Sequence, residues 1–153
     1  MSRSSNLSES GYGQADQSYQ AAGGLTGITQ LVDDFYANMD SFPEAWEIRQ
    51  MHGADLADSK QKLSYFLSGW LGGPKLYAEH YGGISIPGFH QALKIDAPER
   101  DAWLYCMQEA IAQQPFAAEF KAYLLTQLRV PAERVFQASV LNRQRARGAD
   151  PAI

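Results

Sequence analysis

A lone histidine, His90, lies in the stretch GISIPGFHQALKI among apolar and small residues. Such a histidine is more often structural than a ligand, yet one imidazole can hold haem iron when an apolar pocket excludes water. The chain has three histidines, one cysteine and no HxxxH or CxxC motif, which disfavours a metal site built from several side chains. Haem is therefore the metal chemistry that this composition favours.

Three further side chains could bind a small ligand through hydrogen bonds. The phenol of Tyr36 can donate or accept, the indole N–H of Trp103 can only donate, and the imidazole of His52 can do either. Tyr36 and Trp103 lie on apolar helical stripes, so ordinary core packing is the alternative for both. His52 could instead be a cation at a helix C-terminus.

The composition excludes several classes of protein. With 153 residues, 45% of them hydrophobic, the chain fits one globular domain, and its formal charge of -4 gives no general attraction to nucleic acid or anionic membrane. Cys106 is the single cysteine, which fits a reducing cytoplasm, and we expect it to be a buried small hydrophobe. No apolar run is long enough for a membrane span, and the N-terminus lacks the pattern of a secretion signal.

Apolar side chains at helical spacing predict the elements that position these residues. A first long helix begins near Ile28 and a second long helix covers about residues 56–71, where GGP ends it. A short helix between them starts at Pro43 and ends near His52. The longest β-type alternation is ISI, so the sequence predicts an all-α fold.

The C-terminal half contributes two more long helices, after a loop and a short segment that carries His90. One opens at Asp96 as N-cap, with Pro98 in the first turn and Glu99 three residues after the cap. The last follows Pro115, and Pro131 is expected to interrupt it. The predicted organisation is a flexible N-terminal extension over 1–22, a globular domain over 23–140 and a C-terminal tail over 141–153 that holds the basic run NRQRARG.

Taken in order, the motifs over residues 23–140 resemble the group II truncated haemoglobins, which are haem-binding 2-on-2 helical globins. GG precedes the first long helix, DDFYANM places Tyr36 at the family's distal tyrosine, and MHGADLADSKQKL followed by FLSGWLGGP resembles its E helix. FHQALKI places His90 at the proximal iron ligand, and ERDAWLYCM places Trp103, 13 residues later, at the tryptophan that marks group II. The resemblance implies the truncated globin fold, with B, E, G and H helices.

The resemblance also implies a haem b site and the residues around it. His90 would bind iron through Nε2, and the ligand side would hold Tyr36, His52, Trp103 and Ser59, whose small side chain leaves a route to the haem open. Phe89 and Leu93 depart from the family's common arginine and phenylalanine, and Lys62 could supply the missing charge for a propionate. The residues expected to contact the cofactor are His90, Tyr36, His52, Lys62, Leu63, Phe66, Tyr77 and Trp103.

The function implied is high-affinity binding of O₂, NO or CO in the cytoplasm, by a monomer or a homodimer. Enzyme activity stays open, because nitric-oxide dioxygenation or peroxide chemistry would need a separate reductase and the chain shows no flavin- or nicotinamide-binding motif. One alternative is a haem-free helical sensor or adaptor that binds an apolar small molecule or a partner helix. Another is haem sensing or transfer. We expect His80 to be exposed, with service as an alternative iron ligand as the other possibility.

Overall fold

The structure is a computed structural model that describes residues 11–82 and 94–148, with side chains up to residue 145. Within these ranges all regular elements are helices, as the sequence predicts. The short segment with His90, and the departures Phe89 and Leu93, lie outside the described residues. The helices are α1 (Gln17–Ala21), α2 (Gly24–Ser41), a 3₁₀ turn (Pro43–Ala45), α3 (Trp46–Gln50), α4 (Ala57–Trp70), α5 (Leu76–Tyr81), α6 (Ala97–Ala112) and α7 (Ala118–Gly148).

Four long helices form the core, in the packing order α4, α2, α6, α7. Helix α2 is central because its apolar side chains recur every three or four residues and so form one continuous face. That face lies between α4 and α6. No helix within the described residues is long and apolar enough to cross a bilayer. The buried apolar residues of α2 are Ile28, Leu31, Val32, Phe35, Tyr36 and Met39.

Helix α6 begins as predicted. The N–H of Asp96 donates to Oε1 of Glu99 at 2.8 Å, the two residues form a capping box, and proline lies in the first turn. Arg143 of α7 also forms an ion pair with Asp96. The start of α6 is therefore tied to α7, and this fixes the position of Trp103 two turns further along.

The predicted N-terminal extension is wrong for residues 11–22, which pack on the domain. Tyr12 contacts Phe120 edge-to-face at 5.1 Å between ring centroids, and Oγ of buried Ser18 accepts the Gly13 N–H at 2.9 Å. The N–H of Tyr19 donates to the carbonyl of Leu71 at 3.0 Å. A few aromatic and backbone contacts thus order a segment that contains almost no aliphatic residues.

The predicted interruption of the last helix at Pro131 is also wrong, since α7 runs through it. Proline removes one backbone hydrogen bond from a helix, here the one to the carbonyl of Gln127 four residues earlier, but Gln127 is only half-buried. Water can therefore solvate the carbonyl that loses its partner. The helix continues to Gly148, so residues 141–148 of the predicted tail are helical.

Candidate functional site

Tyr36 lies near the centre of the molecule on α2, with 6% of its surface exposed. Within the described residues no hydrogen bond is seen to its hydroxyl, although every fully enclosed side-chain polar atom there has a partner. The hydroxyl therefore keeps a small accessible surface. Burial raises the pKa of Tyr36 above that of a free tyrosine, so its phenol is neutral and able to donate at physiological pH.

Phe35 links Tyr36 to the half-buried Trp103 of α6. The Phe35 ring meets the Tyr36 ring edge-to-face at 4.9 Å between centroids, and it meets the Trp103 ring in the same way at 5.2 Å. Such contacts stabilise a fixed orientation of aromatic rings. Two helices thus bring the predicted tyrosine and tryptophan to one region of the core.

His52, in the turn after α3, also reaches this region. Its ring lies 5.7 Å from the Tyr36 ring, centroid to centroid, at an interplanar angle of 76°. Its Nδ1 lies 2.8 Å from the carbonyl oxygen of Ile48, and because a carbonyl only accepts, Nδ1 carries the hydrogen. In the neutral ring, Nε2 is then an acceptor. His52 therefore binds a carbonyl at the end of α3 and packs on Tyr36.

One face of α4 forms an apolar wall that includes Leu63 and Phe66, two of the residues expected to contact the cofactor. Ser59, Leu63, Phe66 and Trp70 follow one another at three- and four-residue spacing, so they share a face of the helix, and all four are half-buried. Leu63, Phe66 and Trp70 pack against the core cluster that contains Tyr36. The wall leaves apolar surface that a flat hydrophobic group could cover.

Lys62 and Tyr77 form a separate group around Tyr81 of α5. The Nζ of Lys62 lies 3.0 Å from Oδ2 of Asp58 and 5.6 Å from the centre of the Tyr81 ring. The hydrogen bond to Asp58 raises the pKa of the Lys62 ammonium. The rings of Tyr77 and Tyr81 lie 4.8 Å apart. If Lys62 binds a propionate, its ammonium must exchange or share Asp58, whose side chain is mostly exposed.

The other singled-out residues are placed as follows. His80 is exposed, as predicted, and its Nδ1 lies 3.0 Å from the carbonyl oxygen of Leu76. Cys106 is fully buried, as predicted, and burial together with the charge of Glu44 raises the pKa of its thiol to about 11. Among the described residues no cluster of three or more His, Cys, Asp or Glu could hold a metal ion. His90, the predicted iron ligand, lies outside them.

Arg49 is a part of the site that sequence reasoning missed. Its guanidinium forms an ion pair with Asp40 on α2. It also donates to the carbonyls of Gly53 and Ala54, the two residues that follow His52 in the turn. An arginine in the last turn of a short helix is ordinary. Nothing in the local sequence indicates that it binds two other segments.

Comparison with known proteins identifies this arrangement. The family model described as bacterial-like globin matches residues 17–136. The chain belongs to this globin family. It is 32% identical over 108 residues, 71% of this chain and 80% of the relative, to the group 2 truncated hemoglobin YjbI of Bacillus subtilis (strain 168). The resemblance to group II truncated haemoglobins is thereby confirmed.

Solved globin structures agree in fold. The group II 2-on-2 hemoglobin of Agrobacterium tumefaciens is 33% identical with a TM-score of 0.73, over 77% of this chain and 92% of that chain. A truncated oxygen-avid haemoglobin from Bacillus subtilis is 31% identical with a TM-score of 0.71, over 77% of this chain and 97% of that chain. The predicted 2-on-2 truncated globin fold is confirmed.

Membership of the globin family implies haem and binding of diatomic gases such as O₂. The described residues fit such a cofactor. The face of α4 offers apolar surface beside the core, and Tyr36, which belongs to that core, keeps a small accessible surface at its hydroxyl.

Proposed function

We propose that this globin binds O₂ with high affinity at a haem b held by His90, and releases it slowly. Haem supplies ferrous iron, which gives O₂ partial negative charge. Nε2 of His90 would be the iron ligand. Leu63 and Phe66 would exclude water from the cofactor, and Ser59 would leave a passage for small ligands.

The observation that supports this most strongly is the Tyr36 hydroxyl, which belongs to a side chain in the core, keeps a small accessible surface and makes no hydrogen bond to another described residue. A neutral phenol in that setting is a donor available to a partly charged ligand. Trp103, joined to Tyr36 through Phe35, would add an indole N–H, which cannot act as an acceptor. We therefore assign both residues as hydrogen-bond donors to O₂.

His52 would act differently at neutral pH. Its Nδ1–H is directed at the carbonyl of Ile48, so the neutral ring presents Nε2 as an acceptor. An acceptor does not stabilise a negatively charged ligand. We assign His52 to orienting Tyr36 through their edge-to-face contact, and its direct donation to O₂ to the protonated ring only.

The two donors set how much the O₂ dissociation rate is lowered. A hydrogen bond to a charged group contributes about 1.5 to 3 kcal/mol, which corresponds to roughly 10- to 150-fold slower dissociation for each donor. Two donors together give at least about 100-fold. Slow release suits a protein that holds or transforms its ligand better than one that delivers it. We therefore extend the proposal to the binding of NO and CO, and to NO detoxification or peroxide chemistry supported by a separate cytoplasmic reductase.

Stopped-flow measurement of O₂ dissociation tests the proposal, with the wild type compared with the Tyr36→Phe/Trp103→Phe double variant. The expected result is at least about 100-fold faster release from the double variant. Equal rates would show that these residues do not bind the ligand. A wild-type protein that retains no haem would instead favour the haem-free sensor or adaptor, and haem that passes readily to apomyoglobin would favour haem transfer.

A further inference from the structure

Arg49 connects three segments through its guanidinium. Its Nε pairs with Oδ1 of Asp40, near the end of α2. Its Nη1 donates to the carbonyl of Gly53 at 3.0 Å, and its Nη2 donates to the carbonyl of Ala54 at 3.2 Å. All three nitrogens are therefore used to join α2, α3 and the turn that follows α3, a geometry that the rigid guanidinium suits and a lysine ammonium cannot reproduce.

The same turn carries His52, which has hydrogen bonds to α3 before it and the Arg49 contacts after it. The backbone N–H of His52 donates to the carbonyl of Arg49 at 3.1 Å, and its Nδ1 binds the carbonyl of Ile48 at 2.8 Å. The next two carbonyls are those held by the Arg49 guanidinium. Hydrogen bonds from α3, most of them made by Arg49, thus hold the backbone on each side of His52.

Among the described residues, the outer side of this turn is open. A cavity of about 580 Å³ lies against it, lined by residues that include Phe42, Trp46, Arg49, His52 and Ala54. Trp46 on the wall is 60% exposed, and Gly53 and Ala54 are exposed. Since these residues leave room for the turn to move outward, the polar contacts of Arg49 help to keep it in place.

We propose that Asp40 and Arg49 are positioning residues of the ligand site. They hold the turn at residues 51–54 so that the His52 ring stays edge-on against Tyr36, and this contact keeps the Tyr36 hydroxyl directed at the ligand. The inference rests on the proposed function for its effect on O₂. Its structural part, the fixed position of the His52 ring, stands independently of O₂.

The first test reads the His52 ring directly, by ¹⁵N NMR of the imidazole in the protein as purified. The wild type shows a single Nδ1–H tautomer in slow exchange with water. In Arg49→Gln that ring signal broadens or shifts to a mixture of tautomers, because the turn is released. Asp40→Asn, which removes the carboxylate charge but keeps an amide oxygen that can accept from Nε, gives a smaller change in the same direction.

The matched control is Arg100→Gln. Arg100 also binds two carboxylates, Asp101 at 3.0 Å and Glu133 at 2.9 Å, but it ties α6 to α7 and not the turn. This variant leaves the His52 signal unchanged. An Arg49→Gln protein whose His52 signal matches the wild type would overturn the proposal, as would an equal change in Arg100→Gln.

The second test is a cycle of O₂ dissociation rates with Arg49→Gln, His52→Ala and the double variant. The strength of an edge-to-face contact predicts that each single variant releases O₂ about three- to tenfold faster than the wild type. Arg49→Gln has no further effect once His52 is absent. Additive effects, or no effect of either substitution, would overturn the proposal. Failure to bind haem would count against the proposed function, while the NMR signal of the His52 ring would still test whether Asp40 and Arg49 hold the turn.

Discussion

Replacing Tyr36 with phenylalanine removes one hydroxyl and little else. The Tyr36 hydroxyl has no partner among the described residues, so its loss leaves no other polar group unsatisfied, and the ring keeps its contact with Phe35 at 4.9 Å. The free energy of unfolding should change by less than about 1 kcal/mol. Loss of one hydrogen bond to partly charged O₂ should speed its dissociation roughly 10- to 150-fold.

Stopped-flow displacement of O₂ by CO from the ferrous protein measures this change. Because burial raises the pKa of Tyr36, the phenol stays protonated and the ratio of the two rates should be constant between about pH 6 and 9. CO carries little charge, so its own dissociation should change far less. Tyr65→Phe, which removes a hydroxyl on α4 beside His80, is the control. An O₂ rate altered less than about threefold, or equally for O₂ and CO, would refute the assignment.

Two further predictions concern stability. Burial raises the pKa of Cys106 to about 11, above the ~8.5 of an unfolded thiol. Between these two pH values the unfolded state binds fewer protons than the folded state, so the stability of the wild type falls as pH rises. Urea unfolding of Cys106→Ala should show a shallower fall, and a pH profile identical to that of the wild type would contradict this. Gly72→Ala should destabilise by at least about 2 kcal/mol, because φ is +92° and a Cβ would lie 2.0 Å from the carbonyl oxygen of Ala15. Gly82→Ala, with φ +83° and nothing among the described residues within 4 Å of its Cβ, should lose only the conformational part, about 1 to 3 kcal/mol. If Gly72→Ala lost no more than Gly82→Ala, this would argue against the contact between Ala15 and the turn after α4.

Local patterns predicted the long helices well. The apolar stripe of α2 has a helical period and is buried as a unit, and the Asp96–Glu99 signal at the start of α6 forms the expected capping box. These features depend on residues close in sequence, whose geometry the helix itself sets. They also carry Tyr36 and Trp103 to the core, where the two rings meet through Phe35.

Features that depend on distant residues were not predicted. Residues 11–22 are ordered by Tyr12 on Phe120 and by the hydrogen bond from Tyr19 to Leu71, and their own composition contains no sign of either partner. The role of Arg49 likewise depends on Asp40 lying beside it after the chain has turned at Pro43. In both cases a small number of tertiary contacts outweighs the local tendency of the sequence.

The proposed site places His90 on haem iron and leaves the opposite side of the iron for a gas. Visible absorption spectra of the wild type and His90→Ala, recorded ferric, reduced with dithionite, and after addition of CO, are the first measurement to make. We expect a five-coordinate ferrous wild type that takes up CO, and a His90→Ala protein that loses most of its haem but regains a wild-type-like spectrum with added imidazole. Unchanged haem content and spectra in His90→Ala would show that His90 is not the iron ligand.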